Sequence, residues 1–240
     1  MLGIFRKQDT FLPYAEVKSL SEAYEVAVRN VINQHEEVVT EDGEVTWQSN
    51  PFTICITQPW RTNFIHKFSP YGREFYKKYA DDIVNGTSNK FVYTYHDRLF
   101  HYRKHYYDDL INEFIPSDVY GLILDEYIDQ INYVVDKLVY EPTSRRAIAI
   151  TISPYIDEVK KDIPCLQEIQ FWISEGKLNI YVFMRSNDIL LGMPQNIRGF
   201  YKLQFEVAKR IGIHCGKLFY TVTIPHAYIN RDKNELSKWL

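Results

Sequence analysis

From Ser19 onward apolar residues recur with a helical period. Ala23, Val26, Ala27 and Val31 share one side with Asn30, and Ser19 with Glu22 has the spacing of a capping box. Residues 37–60 read as a turn at Glu41-Asp42-Gly43 flanked by strands, the second over 52–56. Ser69-Pro70 offers a cap and a first helical residue for a helix through Val84, with Gly86 after its end. Residues 87–117 are rich in Tyr and His and show no clean period. Leu122, Leu124, Ile128, Ile131, Val135 and Leu138 then form a broad apolar stripe, which predicts a long helix over 118–139 ended by Pro142. Extended runs follow at 147–152, 169–174 and 178–184, the last two flanking a hairpin turn at Glu175-Gly176. A helix over 198–211 and a strand over 218–224 complete the series. No repeat, low-complexity tract or linker divides it. The expectation is a single domain, 1–240, of the α+β class with a mostly antiparallel sheet.

Composition narrows the class of protein. At 240 residues the chain can bury a substantial core, and 45% hydrophobic with 25% charged residues is ordinary for a globular domain. The 19 tyrosines serve packing and interface surface, or alternatively a base-stacking platform. A net charge of −3 argues against a broad nucleic-acid-binding surface, which needs clustered Lys and Arg. No segment approaches the length of a membrane span, and the start, Met1 to Lys7, lacks an apolar signal core, so neither membrane nor export is expected. Three widely spaced cysteines, Cys55, Cys165 and Cys215, suit neither a disulfide framework nor a zinc site. A reduced, cytoplasmic protein without a metal is expected.

Four pieces bear chemistry. Pro164-Cys165 offers a thiol, a nucleophile if a cation lies nearby and otherwise a small apolar residue. Ser144-Arg145-Arg146 is either solvated surface or an anion contact, although adjacent residues on a strand face opposite ways. In the run from Arg185 to Asn196, Gly192 and Pro194 suggest a shaped loop. There Asp188 reads as a turn or cap residue and Asn196 as a helix cap, unless they face a ligand. His226 and Tyr228, two apart on a strand, can present two hydrogen-bonding groups to one ligand.

In order and spacing these pieces resemble one family, the thymidylate synthases and pyrimidine-nucleotide hydroxymethylases. The likeness runs through Ile128-Asp129-Gln130-Ile131, Pro142-Thr143-Ser144-Arg145-Arg146, Pro164-Cys165, Gln170-Phe171 and Glu175-Gly176-Lys177-Leu178. It continues through Arg185-Ser186-x-Asp188, Gly192-x-Pro194-x-Asn196-Ile197 and His226-x-Tyr228-x-Asn230, so the motif-rich core spans 128–230. The resemblance implies a mixed β-sheet with flanking helices that dimerises through the sheet, and methylation of dUMP at C5 through a covalent Cys165–C6 adduct. It implies that Arg185 and Ser186 hold the phosphate, that Arg185 favours the thiolate, and that Arg145 and Arg146 reach the site of the partner subunit in a homodimer. Asn196 would read the pyrimidine edge, and His226 and Tyr228 the sugar hydroxyl. Asp188, Gly192 and Gln195 would face the cofactor, 5,10-methylenetetrahydrofolate or a related methylene-tetrahydropterin such as a methanopterin.

The amino-terminal half matches less closely. Tyr95 corresponds to the family's active-site tyrosine, with His96 where a glycine is usual. Glu74 is the candidate general acid/base, its alternative being a solvated glutamate paired with Lys77 or Lys78. Four departures stand out. Glu41-Asp42-Gly43 occupies the place of a phosphate-binding Arg-Thr-Gly, Leu166 follows the nucleophile in place of histidine, and Gln195 replaces a phenylalanine. The sequence also ends at Trp239-Leu240, as in short archaeal or viral relatives. The expected nucleotide is dUMP or another pyrimidine nucleoside monophosphate. Two other readings remain: a hydroxymethylase acting on dUMP, dCMP or CMP, in which water captures the same intermediate, and a non-catalytic nucleotide-binding relative.

Overall fold

The computed structural model describes residues 13–61, 66–89, 93–103, 105–108, 113–116 and 127–240. Its centre is an eight-stranded mixed sheet. A path of six strands runs β1 (Tyr14–Val17), β4 (Phe52–Ile56), β12 (His214–Tyr228), β11 (Lys177–Asp188), β10 (Leu166–Ser174) and β9 (Ile148–Ile150). The hairpin β2 (Glu36–Val39) with β3 (Val45–Gln48) joins it through the end of β12. Five of its seven pairings among the described residues are antiparallel, as expected, and two, β1 with β4 and β11 with β12, are parallel, so the sheet is mixed. The reason is the connection after β11, a long helix α6 (Gly192–Ile211), which returns the chain to lay β12 alongside in the same direction. β10 and β11 form the expected hairpin, with Glu175 and Gly176 both at positive φ in its turn.

The core lies between the sheet and its helices. In α1 (Leu20–Gln34), Ser19 Oγ accepts from the Glu22 backbone N–H at 3.2 Å, and the buried face comprises Leu20, Ala23, Tyr24, Ala27, Val28 and Val31. α6 buries Met193, Ile197, Phe200, Leu203 and Val207 in the core cluster that also holds Ile180, Val182, Leu218 and Tyr220. Each such side chain contributes about 1.5–3 kcal/mol on leaving water. α6 ends at Gly212, in the left-handed region, whose N–H reaches the Ala208 carbonyl.

Local signals misplace several boundaries. The helix expected over 118–139 is α4 (Gln130–Tyr140), which starts where the Asp129 side chain accepts from the Asn132 N–H at 2.7 Å. Ile128, counted in the apolar stripe, lies instead in the short strand Tyr127–Ile128 and is exposed, while residues 117–126 fall outside those described. The turn at Glu41-Asp42-Gly43 closes on Val45–Gln48, a strand absent from the sequence reading. The helix after Ser69-Pro70 begins only at Arg73, giving α2 (Arg73–Asn85). At Gly192-x-Pro194 the chain is already helical, because a proline in the first turn has no N–H to satisfy. Asn196 therefore lies inside α6 and is not its cap.

A buried ion pair braces the segment before Cys165. Arg98, in the helix α3 (Tyr95–Phe100), donates to both carboxylate oxygens of Asp157 at 3.0 and 2.6 Å. Arg98 also donates to the Thr151 carbonyl, and Asp157 accepts from the Ser153 N–H. Both charges are thus paired and hydrogen-bonded, which a buried pair requires. No helix among the described residues is long and apolar enough to cross a membrane.

Candidate active site

A cleft of about 1030 Å³ opens where β11 and β12 end and α6 begins. Cys165, immediately before β10, stands across from the end of β11, and its carbonyl accepts the Arg185 N–H at 2.9 Å. Cys165 Sγ lies 4.0 Å from Ser186 Oγ, so thiol and hydroxyl face one space. The Arg185 guanidinium donates to the carbonyls of Ile163 at 2.9 Å and Pro164 at 3.1 Å. A cation thus holds the two residues ahead of the cysteine, which gives the thiol a fixed position.

Parallel pairing of β11 with β12 sets Asp188 opposite His226. His226 and Tyr228 project together, their rings edge-on at 5.1 Å. Burial lowers the His226 pKa, keeping the imidazole neutral, and Nδ1 lies 3.1 Å from the Ile224 carbonyl. Nδ1 then bears the proton, and Nε2 is left as an acceptor. Burial raises the Tyr228 pKa, so its hydroxyl remains a donor. The pair offers one acceptor and one donor.

Asn196 is buried on the first turns of α6, and its Oδ1 accepts from the Tyr79 hydroxyl at 2.7 Å. Tyr95 lines the same cleft, and burial raises its pKa well above the usual phenol range. Burial also raises the Asp188 carboxyl, whose Oδ1 accepts from the N–H groups of Leu190 and Leu191 at 3.0 and 3.1 Å. Its Oδ2 pairs with Arg231.

The cleft therefore gathers Cys165, Arg185, Ser186, Asp188, Gln195, Asn196, His226, Tyr228 and Tyr95. Gly192 lies beside it: a Cβ there would come within 3.0 Å of the Asn187 amide nitrogen and 3.5 Å of Asp188 Cβ. Its fit is to these neighbours, through close approach. Arg145 and Arg146 are exposed ahead of β9 and do not line this cleft. Glu74 is exposed as well and does not line it. α2 turns Tyr79, Asp82 and Ile83 toward the cleft, and Glu74, five residues before Tyr79, is about 140° away around the helix. The acid/base role expected of Glu74 thus has no geometric basis. Glu41 and Asp42 do reach the rim, where Lys161 pairs with Asp42 at 2.7 Å.

The family pattern for thymidylate synthase matches residues 57–238. The chain belongs to the thymidylate synthase family. It is 34% identical over 226 residues to a protein of Methanocaldococcus jannaschii described as "Putative thymidylate synthase", covering 92% of this chain and 93% of that one. A Methanosarcina barkeri protein of the same description is 29% identical, over 88% of this chain and 87% of that one. The thymidylate synthase of varicella-zoster virus is 36% identical over 114 residues, 48% of this chain and 38% of the viral one. Members of the thymidylate synthase family are methyltransferases, and this chain is an enzyme of that class.

Among the residues that line this cleft, sequence reasoning missed Tyr79 and Arg231. Tyr79 sits in an amphipathic helix with no motif around it. Arg231 follows the His226-x-Tyr228-x-Asn230 segment directly, and its guanidinium lies 3.8 Å above the Tyr228 ring while bridging Asp188 and Asp232. The Leu191 N–H and the Arg231 guanidinium favour the ionised form of Asp188, against burial and the nearby Asp232. Replacing Arg231 by methionine keeps an apolar stem on Tyr228 and removes the charge. The Asp188 carboxyl should then rise further, moving the acid limb of the kcat/KM profile to higher pH. The sign follows because the carboxylate, which accepts the Leu190 and Leu191 N–H groups, is lost as pH falls through a raised pKa. An acid limb that stays in place would exclude Arg231 as its counter-ion.

Proposed function

We propose that this chain methylates dUMP at C5 to give dTMP, using a methylene-tetrahydropterin and a covalent bond between Cys165 and C6. The observation that supports this best is the convergence of a thiol, a phosphate-binding pair and a pyrimidine-edge amide on one cleft: Cys165, then Arg185 with Ser186, then Asn196. The uracil ring is unreactive at C5 until a nucleophile adds at C6. Addition of the Cys165 thiolate there moves the ring electrons toward O4 and makes C5 nucleophilic. Arg185 and Ser186 hold the phosphate, Asn196 meets O4 and N3–H, and the acceptor–donor pair of His226 and Tyr228 meets the sugar hydroxyl.

The cleft has room for a second ligand beside the nucleotide, and Asp188 offers a carboxylate on that side, suited to the amino and ring N–H groups of a pterin. Asp188 and Gln195 would hold the pterin, with Gly192 keeping Asp188 in place. A methylene-tetrahydropterin, when bound, supplies the one-carbon unit and the hydride that makes it a methyl group. The protein acts as a homodimer, with Arg145 and Arg146 serving the phosphate of the partner subunit. Their exposure outside this cleft supports that reading, as does a sheet face bearing the half-buried Trp172, Tyr181, Phe183 and Phe219.

One observation favours a second outcome. Gln195 adds a polar side chain to the wall beside Asn196, where retained water would capture the intermediate as a hydroxymethyl group. The deciding experiment supplies dUMP or dCMP with several methylene-pterins and reads product mass together with dihydropterin absorbance. dTMP with stoichiometric dihydropterin is expected. Hydroxymethyl-dUMP without dihydropterin would replace the synthase reading by the hydroxymethylase one. A simple nucleotide-binding role has less support, since binding alone does not need the thiol.

A further inference from the structure

The Tyr79–Asn196 contact has a direction. Asn196 and Gly199 are three residues apart on α6, and a Cβ at Gly199 would fall 2.2 Å from Ile83 Cδ1 and 3.4 Å from the Tyr79 ring. The missing side chain lets α2 lie close enough for the Tyr79 hydroxyl to donate to Asn196 Oδ1 at 2.7 Å. Burial raises the Tyr79 pKa, so this phenol keeps its proton across the working range. On the other side, the Tyr220 hydroxyl donates to Asn187 Oδ1 and has spent its only hydrogen. Its oxygen can then only accept, and the Asn196 amide bonds to it. Donation therefore runs one way, from Tyr79 to Asn196, to Tyr220, to Asn187.

An unconstrained asparagine is an ambiguous reader. One orientation complements O4 and N3–H of uracil, and the flipped one complements the 4-amino group and bare N3 of cytosine. Turning the amide here would set its oxygen against a Tyr220 oxygen with no hydrogen left to give.

We propose that Tyr79 is a positioning residue for base selection: its hydroxyl locks the Asn196 amide in the orientation that accepts a 4-oxo pyrimidine nucleotide and rejects a 4-amino one. This rests on Asn196 as the pyrimidine reader and adds what makes that reader selective.

The test is equilibrium binding of dUMP and of dCMP, without a pterin, to wild type and to Tyr79→Phe, with thermal unfolding recorded alongside. Wild type should prefer dUMP. Tyr79→Phe should lose about 10-fold or more of that preference, the change expected when a buried amide loses its partner. A role confined to stability would lower Tm and leave the dUMP/dCMP ratio unchanged, and that result overturns the proposal. Wild type that does not distinguish the two nucleotides would overturn the reading of Asn196 itself. If Tyr79→Phe fails to fold, Tyr220→Phe decides: it removes the donor to Asn187 and frees its oxygen-side constraint on the amide, so a reduced ratio supports the lock and a wild-type ratio overturns it.

Discussion

Replacing Cys165 by alanine is expected to lower the conversion of dUMP by about 10⁴-fold or more, the scale of loss when a covalent nucleophile is deleted. The residues proposed to hold the nucleotide are untouched by this change. Arg185 still bonds to the carbonyls of Ile163 and Pro164, Asn196 still receives the Tyr79 hydroxyl, and His226 still faces Tyr228. Binding of dUMP should therefore stay within a few-fold of wild type while chemistry stops. Release of tritium from C5-labelled dUMP isolates the step, because C5–H exchange needs prior addition at C6. Alanine at 165 should abolish it. Serine should nearly do so, since its hydroxyl ionises far less readily than a thiol. Tritium release that survives in Cys165→Ala would rule out the covalent route.

Exchange of Asn196 for aspartate is expected to shift the preference from dUMP toward dCMP. A carboxylate offers only acceptors, so it opposes the uracil O4 and suits a cytosine amino group. The Tyr79 hydroxyl can still donate to it, but nothing remains to donate to Tyr220. Leaving buried polar atoms without partners costs about 1–3 kcal/mol, so kcat/KM or Kd for dUMP should worsen by roughly 5- to 150-fold. The measurement is the dUMP/dCMP ratio under one set of conditions. A ratio unchanged by Asn196→Asp would mean that another side chain reads the pyrimidine edge.

Some elements were readable because their signals are local. The capping box at Ser19, the turn at Glu175-Gly176 and the alternation through 178–184 each act over a few residues, and each element forms as expected. Where a local signal competed with another, the reading slipped. The apolar stripe ran back past Asp129, but the Asp129 cap starts the helix afresh and leaves Ile128 in a strand. The parallel return of β12 was not readable either. It depends on where α6 docks, and a hydrophobic period states that a face is buried without stating against what.

The site divides along the same line. The chemical groups themselves were legible: a thiol at 165, a guanidinium and hydroxyl at 185 and 186, an amide at 196, an imidazole and phenol at 226 and 228. Their types and order do not depend on folding, and they were enough to suggest a nucleotide and a covalent step. Which neighbours orient those groups was decided only in three dimensions. Glu74 had the right chemistry on paper, yet α2 meets α6 where Ile83 and Tyr79 lie against Gly199, which turns Tyr79 inward and Glu74 to water. Arg231 reaches Asp188 across 43 residues of chain because β11 and β12 pair in parallel. Residue types reside in the sequence, but a hydrogen bond requires two groups to meet within about 3 Å at a suitable angle. Long-range packing of helix on helix and strand on strand decides which pairs do so.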